Sequence, residues 1–277
     1  MMKDKLCLVT GGTGGIGRAA VLELAEMGAH VVVVARNEQK ASELCAGHDN
    51  MEYLLADLFS LSQIRALGQA FLERYQKLDV LINNAGANFA TRELTVDGYE
   101  RTFALNHLAP FLLTELLSDV LKKTEGARVV TVSSGAHNGA RAHLDDLQFE
   151  QRRFWWGWSA YCESKLSNLL FTYELARRLE GTGVTATAMH PGFVKTGFAR
   201  NNGPVLNAAV GLAGALFGRT PEHGAETVVW AASAKELDGV TGKYFMDKAA
   251  LSSSRESYDE GLQSRLWELS ESLVGLP

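Results

Sequence analysis

The sequence is short of cysteine. Cys7, Cys45 and Cys162 are all that its 277 residues contain. An odd number without metal-like spacing excludes a disulfide scaffold and points to reduced thiols in a cytoplasmic compartment. Blocks of like charge are missing as well. Lysines and arginines are scattered, and the formal net charge is −5, so the basic footprint of a nucleic-acid binder is absent. There is no long apolar run. Leu6–Val9 is too short for a signal segment and enters a glycine turn, so it reads as a first strand. The longest charge-free stretch, between Arg200 and Arg219, contains Asn201, Asn202, Pro204 and Asn207, too polar and broken for a transmembrane segment. His107, His137, His143 and His190 have no zinc-like spacing with cysteine or carboxylate, so no metal is expected.

What is present suits one α/β domain with a sizeable core: 46% hydrophobic and 21% charged residues, without repeats or linkers. Short β-rich runs alternate with helical patterns, which predicts a parallel sheet covered on both faces. Seven strands are expected near Lys5–Thr10, His30–Ala35, Met51–Ala56, Asp79–Asn83, Ala127–Ser133, Val184–His190 and Gly239–Phe245. Helices are expected near Gly15–Met27, Glu38–Ala46, Leu61–Gln76, Ala160–Glu180, Glu222–Ala234 and Glu256–Leu273, with two more across Val96–Lys122. Residues 1–135 read as mainly cofactor-binding. Residues 136–277 read as the catalytic part, with a lid near 197–220.

Thr10-Gly11-Gly12-Thr13-Gly14-Gly15-Ile16-Gly17 follows the first strand and opens a helix. Glycines there let backbone amides and a positive helix end approach a pyrophosphate, as in a Rossmann-type doubly wound sheet. Gly12, Gly14 and Gly17 satisfy one glycine pattern, and Gly11, Gly15 and Gly17 another. Nineteen residues beyond Gly17, where an acid would accept the ribose hydroxyls of NAD, stands Arg36. A guanidinium suits the 2′-phosphate of NADP(H), and Arg18 is a candidate second contact.

Tyr161 and Lys165 lie four apart, on one face of a helix. An ammonium beside a phenol favours the phenolate, so Lys165 is expected to lower the pKa of Tyr161 and tune it as an acid/base for an alcohol or carbonyl.

The glycine turn, Asp57, Asn83-Asn84-Ala85-Gly86, Asn106, Ser134, Tyr161/Lys165 and Pro191–Thr196, in that order, resemble the short-chain dehydrogenase/reductase superfamily. The long Ser134-to-Tyr161 spacing, Tyr161–Leu166, Glu174–Leu179, His190-Pro191-Gly192 and Gly242–Phe245 look like its retinol dehydrogenase and WW-domain oxidoreductase-like branch. Membrane-bound relatives there carry an N-terminal apolar anchor, whereas this chain starts almost at its first strand. The resemblance implies that Tyr161 moves the proton, Lys165 tunes it and holds the nicotinamide ribose, Ser134 binds the reacting oxygen, and Asn106 fixes a water behind Lys165. Ser133 competes with Ser134, which the motif favours. By the same resemblance Asp57 and Leu58 flank adenine, and Asn83, Ala85 and Gly86 flank its ribose. Pro191, Gly192, Val194 and Thr196 approach the carboxamide.

Phe154, Trp155, Trp156 and Trp158 precede Tyr161, and Phe193 lies in the nicotinamide turn. With the apolar stretch 204–218 they predict a pocket for a small lipophilic or aromatic carbonyl or alcohol, lined by Ser134, Trp155, Trp156 and Phe193. Were that stretch a contact between copies instead, the chain would assemble as a homodimer or homotetramer. Two other functions stay open: a catalytically silent NADP-binding redox sensor, and a C=C reductase of the protochlorophyllide reductase type.

Overall fold

Val31, Val32, Val33 and Val34 are each at most 1% exposed, so the strand they form is covered on both faces. That strand, β2 (His30–Ala35), lies in one sheet with β1 (Leu6–Thr10), β3 (Met51–Leu55), β4 (Val80–Asn83), β5 (Arg128–Val132), β6 (Thr185–Met189), β7 (Lys243–Met246) and β8 (Ala249–Ala250). The computed structural model describes residues 2–194 and 218–276. Strand order is β3-β2-β1-β4-β5-β6-β7-β8, parallel up to β7 and antiparallel at β8. The order reverses between β1 and β4, where a doubly wound sheet opens a crevice at the carboxyl ends of its strands.

Alternation along the strands divides the core. Leu8 and Val32 point to one face, packed with Phe71, Phe111, Leu170, Phe171 and Trp267. These come from α3 (Leu61–Arg74), α5 (Ala109–Leu116), α7 (Trp158–Arg178) and α9 (Glu260–Val274). Val9 and Val33 face the other way, toward Val21 and Leu24 of α1 (Gly15–Glu26), Leu44 of α2 (Glu38–Cys45) and Val228 of α8 (Pro221–Ser233). Trp267 is wedged between Phe111 and Phe171, at centroid distances of 4.9 and 5.8 Å, so α9 seals the outer side of α5 and α7. Burial along α7 is almost unbroken from Ala160 to Ala176.

The expected fold class holds, with local differences. Seven strands become eight among the described residues because Asp247 and Lys248, at φ +51° and +59°, make a two-residue hairpin turn. The segment from Gly239 is a turn rather than strand: Gly239 and Gly242 both have positive φ, and β7 starts at Lys243. The helix expected from Val96 starts at Arg101, as α4 (Arg101–Phe103), because Glu100 is its cap. The buried Glu100 carboxylate accepts from the amides of Thr102 and Phe103, both at 2.8 Å. A π-helical turn, Ala104–Leu108, leads into α5, and α6 (Ser118–Lys123) follows. Among helices that begin from a described loop, Asn37, Ser60, Glu100, Thr220 and Asp259 cap with a side chain, whereas α1 and α7 begin at Gly14 and Gly157 without one.

Candidate active site

The turn from β1 to α1 is built against the end of β4. Gly11 adopts φ +66°, and a Cβ at Gly17 would lie 2.4 Å from the Gly11 carbonyl oxygen, so neither position accepts a side chain. A Cβ at Gly14 would meet nothing within 4 Å, which leaves the uncapped start of α1 open. Asn84 ties this turn down. Its Nδ2 donates to Thr10 O at 2.8 Å, while the Thr10 hydroxyl accepts from the amides of Asn84 and Ala85, both at 3.0 Å. Asn83 behaves otherwise: its Nδ2 donates to Thr114 Oγ1 of α5 at 3.1 Å. The Asn83 side chain is thus spent on the core, because the strand pleat turns successive residues to opposite faces.

Four of the expected residues converge beyond Ala85. Asn106, in the π-helical turn, accepts from Ala87 N at 2.9 Å and donates to Ala87 O at 3.0 Å and to Ser164 Oγ at 2.9 Å. A Cβ at Gly86 would stand 3.2 Å from Asn106 Oδ1 and 3.3 Å from Lys165 Nζ. Residues 84–87 therefore form a strut between the glycine turn and the Tyr161 helix. The two serines separate: Ser133 Oγ donates to Lys165 O at 2.8 Å, whereas Ser134 faces the Tyr161 phenol. His137, buried, orders the Ser134 loop. Its Nε2 accepts from Ser254 N at 3.1 Å, so Nδ1 carries the proton and donates to Ser134 O at 2.6 Å.

Electrostatically the pair departs from expectation. Burial pushes the Tyr161 phenol up to about 12, with the Ser134 hydrogen bond pulling the other way. Burial also lowers the Lys165 amine to about 8. Its Nζ donates to Val132 O at 2.9 Å and sits 5.7 Å from the Tyr161 ring centroid. Desolvation outweighs the attraction that was to lower the tyrosine, because neither group reaches water. A phenol in this state keeps its proton at neutral pH and is poised to donate it.

Arg36 and Arg18 are exposed at the end of β2 and in the first turn of α1, and Arg36 Cζ lies 5.9 Å from the Phe59 ring centroid. Asp57 shapes its own turn, with Oδ1 accepting from Phe59 N at 3.2 Å, and Leu58 is half-buried beside it. Val194 packs near Ile16: a Cβ at Gly224 would meet the Val194 side chain at 2.7 Å and Ile16 at 3.2 Å. Gly192, at φ +80°, precedes Phe193, which is 53% exposed. Thr196 and most of the expected lid lie outside the described residues. Of the aromatics, Trp158 approaches Tyr161, ring to ring at 5.8 Å. Trp156 is 78% exposed. Trp155 and Trp158 instead line a cavity of about 400 Å³ with Phe149 and Cys162. A larger one, about 490 Å³, is lined by Tyr173, Val184 and Thr185 at the amino ends of the strands, the wrong edge for this crevice.

An open glycine turn at a topological switch, joined by a strut to a Ser-Tyr-Lys group whose tyrosine and lysine are buried, defines a nucleotide-dependent oxidoreductase class. Residues 5–145 match the short chain dehydrogenase family, and the chain belongs to that family. Within it the chain falls in the retinol dehydrogenase-like branch. It is 39% identical to retinol dehydrogenase 14 of Mus musculus over 297 residues, covering 100% of this chain and 87% of that protein. An uncharacterized protein from Mycobacterium paratuberculosis has a similar structure, with TM-score 0.82 and 33% identity over 99% of this chain and 95% of that one. The Pseudomonas aeruginosa RhlG/NADP active-site complex matches with TM-score 0.69 and 26% identity, covering 95% of this chain and 97% of that one.

Proposed function

We propose that the protein is an NADP(H)-dependent oxidoreductase that interconverts a carbonyl and an alcohol on a small lipophilic or aromatic substrate. The observation that carries this reading is the placing of Ser134 and buried Lys165 beside the Tyr161 phenol, with Gly86 closing over Lys165. When bound, the nicotinamide cofactor supplies or accepts the hydride. Tyr161 passes its proton to the carbonyl oxygen or takes it from the alcohol, and Ser134 donates to the same oxygen as its charge develops. Lys165, with Asn106 behind it, holds the nicotinamide ribose and returns the proton to Tyr161.

The residues fit the cofactor. Amides of the open turn from Thr13 to Gly17 suit the pyrophosphate, and Ala85 and Gly86 the adenosine ribose by backbone alone. Asp57 and Leu58 border adenine, and Pro191, Gly192 and Val194 the carboxamide. Arg36 and Arg18 suit the 2′-phosphate. Support for NADP(H) also comes from the NADP complex among the structural neighbours, and support for a lipophilic alcohol from the retinol dehydrogenase relative. The functional division then falls near residue 135.

The test is NADPH consumption over a panel of hydrophobic ketones and aldehydes, with wild type and Tyr161→Phe. The variant should keep cofactor binding and lose kcat by about 10²-fold or more, the scale of general acid catalysis. Equal turnover by the two proteins would sink the assignment.

A further inference from the structure

The cavity of about 400 Å³ beside Tyr161 has an unusual wall. Trp155, Trp158 and Phe149 give it aromatic sides, and Arg141, Arg152 and Arg153 bring three guanidinium groups to it. Arg152 is already neutralised, by Asp146 at 3.0 Å and by both oxygens of Glu163. Glu163, the acid in the lining, is in turn occupied by Arg152 and by His143 at 3.3 Å. Arg141 and Arg153 have no acidic partner among the described residues. Arg153 leans over Trp155, its Cζ 5.9 Å from the ring centroid. The lining is thus left with two uncompensated positive charges against aromatic surface, in a space large enough for a small organic ligand. Trp158 belongs both to this wall and to the ring pair with Tyr161, so the cavity wall and the phenol share one indole.

We propose that this cavity binds a carboxylate or phosphate group, held by Arg141 and Arg153 beside the aromatic wall, and that the group is the far end of the carbonyl substrate. The inference rests on the oxidoreductase reading above and refines its substrate: an aromatic or lipophilic carbonyl carrying an anionic end. Neutral retinoid-like molecules would leave both arginines without a partner. Arginine forks suit planar oxyanions, and an aromatic floor beside them suits the hydrocarbon that carries the anion.

Two measurements test it. The first compares kcat/KM for 4-carboxybenzaldehyde and its methyl ester, in wild type and in the double variant Arg141→Gln/Arg153→Gln. Both arginines are exposed, so the variant should fold. Wild type should prefer the carboxylate by about tenfold or more, and the variant should lose that preference while keeping its rate on the ester. The second titrates tryptophan fluorescence with benzoate and with inorganic phosphate, which needs no turnover. Saturable quenching in wild type, weakened about tenfold in the variant, supports the site even if neither aldehyde is reduced, a result that would count against the reaction instead. Anion binding without any preference between the aldehydes keeps the site but makes the anion a separate effector. No saturable anion effect, together with equal aldehyde preference in both proteins, overturns the proposal.

Discussion

Lys165 is a charge kept at a cost, and replacing it with methionine should stabilise the protein while abolishing its chemistry. Burial takes the amine from its ordinary 10.5 to about 8. At about 1.4 kcal/mol for each tenfold change, holding the ammonium in the fold at pH 7 costs about 3 kcal/mol. Methionine has similar length and no charge. The lost hydrogen bond to Val132 O offsets about 1 kcal/mol, and that oxygen keeps Asn168 Nδ2 at 3.3 Å, so no acceptor is stranded. The net gain of about 2 kcal/mol corresponds to a rise of roughly 4–8 °C in Tm. The gain should also depend on pH. The unfolded chain keeps its lysine charged up to about pH 10.5, whereas the folded chain releases the proton near 8. The cost is therefore complete below about pH 8 and absent above 10.5, so wild type should close the gap on Lys165→Met as pH rises through that window. Urea unfolding of both proteins at pH 7, 9 and 10.5 measures it. A variant less stable than wild type at pH 7, by an amount constant with pH, would refute the reasoning.

Competitive binding of NADP(H) and NAD(H) to Arg36→Asp should show NADP(H) weakened about tenfold or more while NAD(H) weakens less, since a charge-assisted contact becomes a repulsion; an unmoved preference leaves Arg36 a solvated strand end. Ser134→Ala should lower kcat on its own, yet combining it with Tyr161→Phe should cost no more than Tyr161→Phe alone, because the two hydroxyls act on one oxygen; multiplicative losses in single-turnover assays would separate their roles. Trp267→Ala should destabilise by about 3–5 kcal/mol in denaturant unfolding, the cost of emptying an aromatic site that is 3% exposed; a loss under ~1 kcal/mol would mean that α9 does not seal α5 and α7 in solution.

Most of the architecture was readable where a local rule and the global fold coincide. The valine run of β2, the glycine turn and the Tyr161/Lys165 spacing each need only near neighbours in sequence to be recognised. Failures came where partners are distant. Glu100 is an ordinary acid in the sequence and becomes a buried cap only through the packing of α4. Asp247-Lys248 carries a hairpin without the glycine that usually announces one. Asn83 and Asn84 are identical by composition, and the pleat alone decides which supports the glycine turn. Spacing placed Lys165 beside Tyr161 but said nothing of the dry surroundings that set both pKa values. Trp155 and Trp156, at φ +46° and +52°, occupy the left-handed region, so helical spacing could not reveal which indole faces Tyr161.

The burial of α7 has a consequence in time. Local opening in a protein ranges from nearly free at its edges to the full cost of unfolding at its centre. A helix enclosed from Ala160 to Ala176 belongs at the expensive end, and the exposed tryptophan stretch just before it belongs nearer the other. The helix and the stretch before it therefore keep different clocks. In hydrogen exchange the amides around Lys165 should be among the last to report, while those around Trp155 and Trp156 exchange early. The placing of Tyr161 then persists through many openings of the stretch before it.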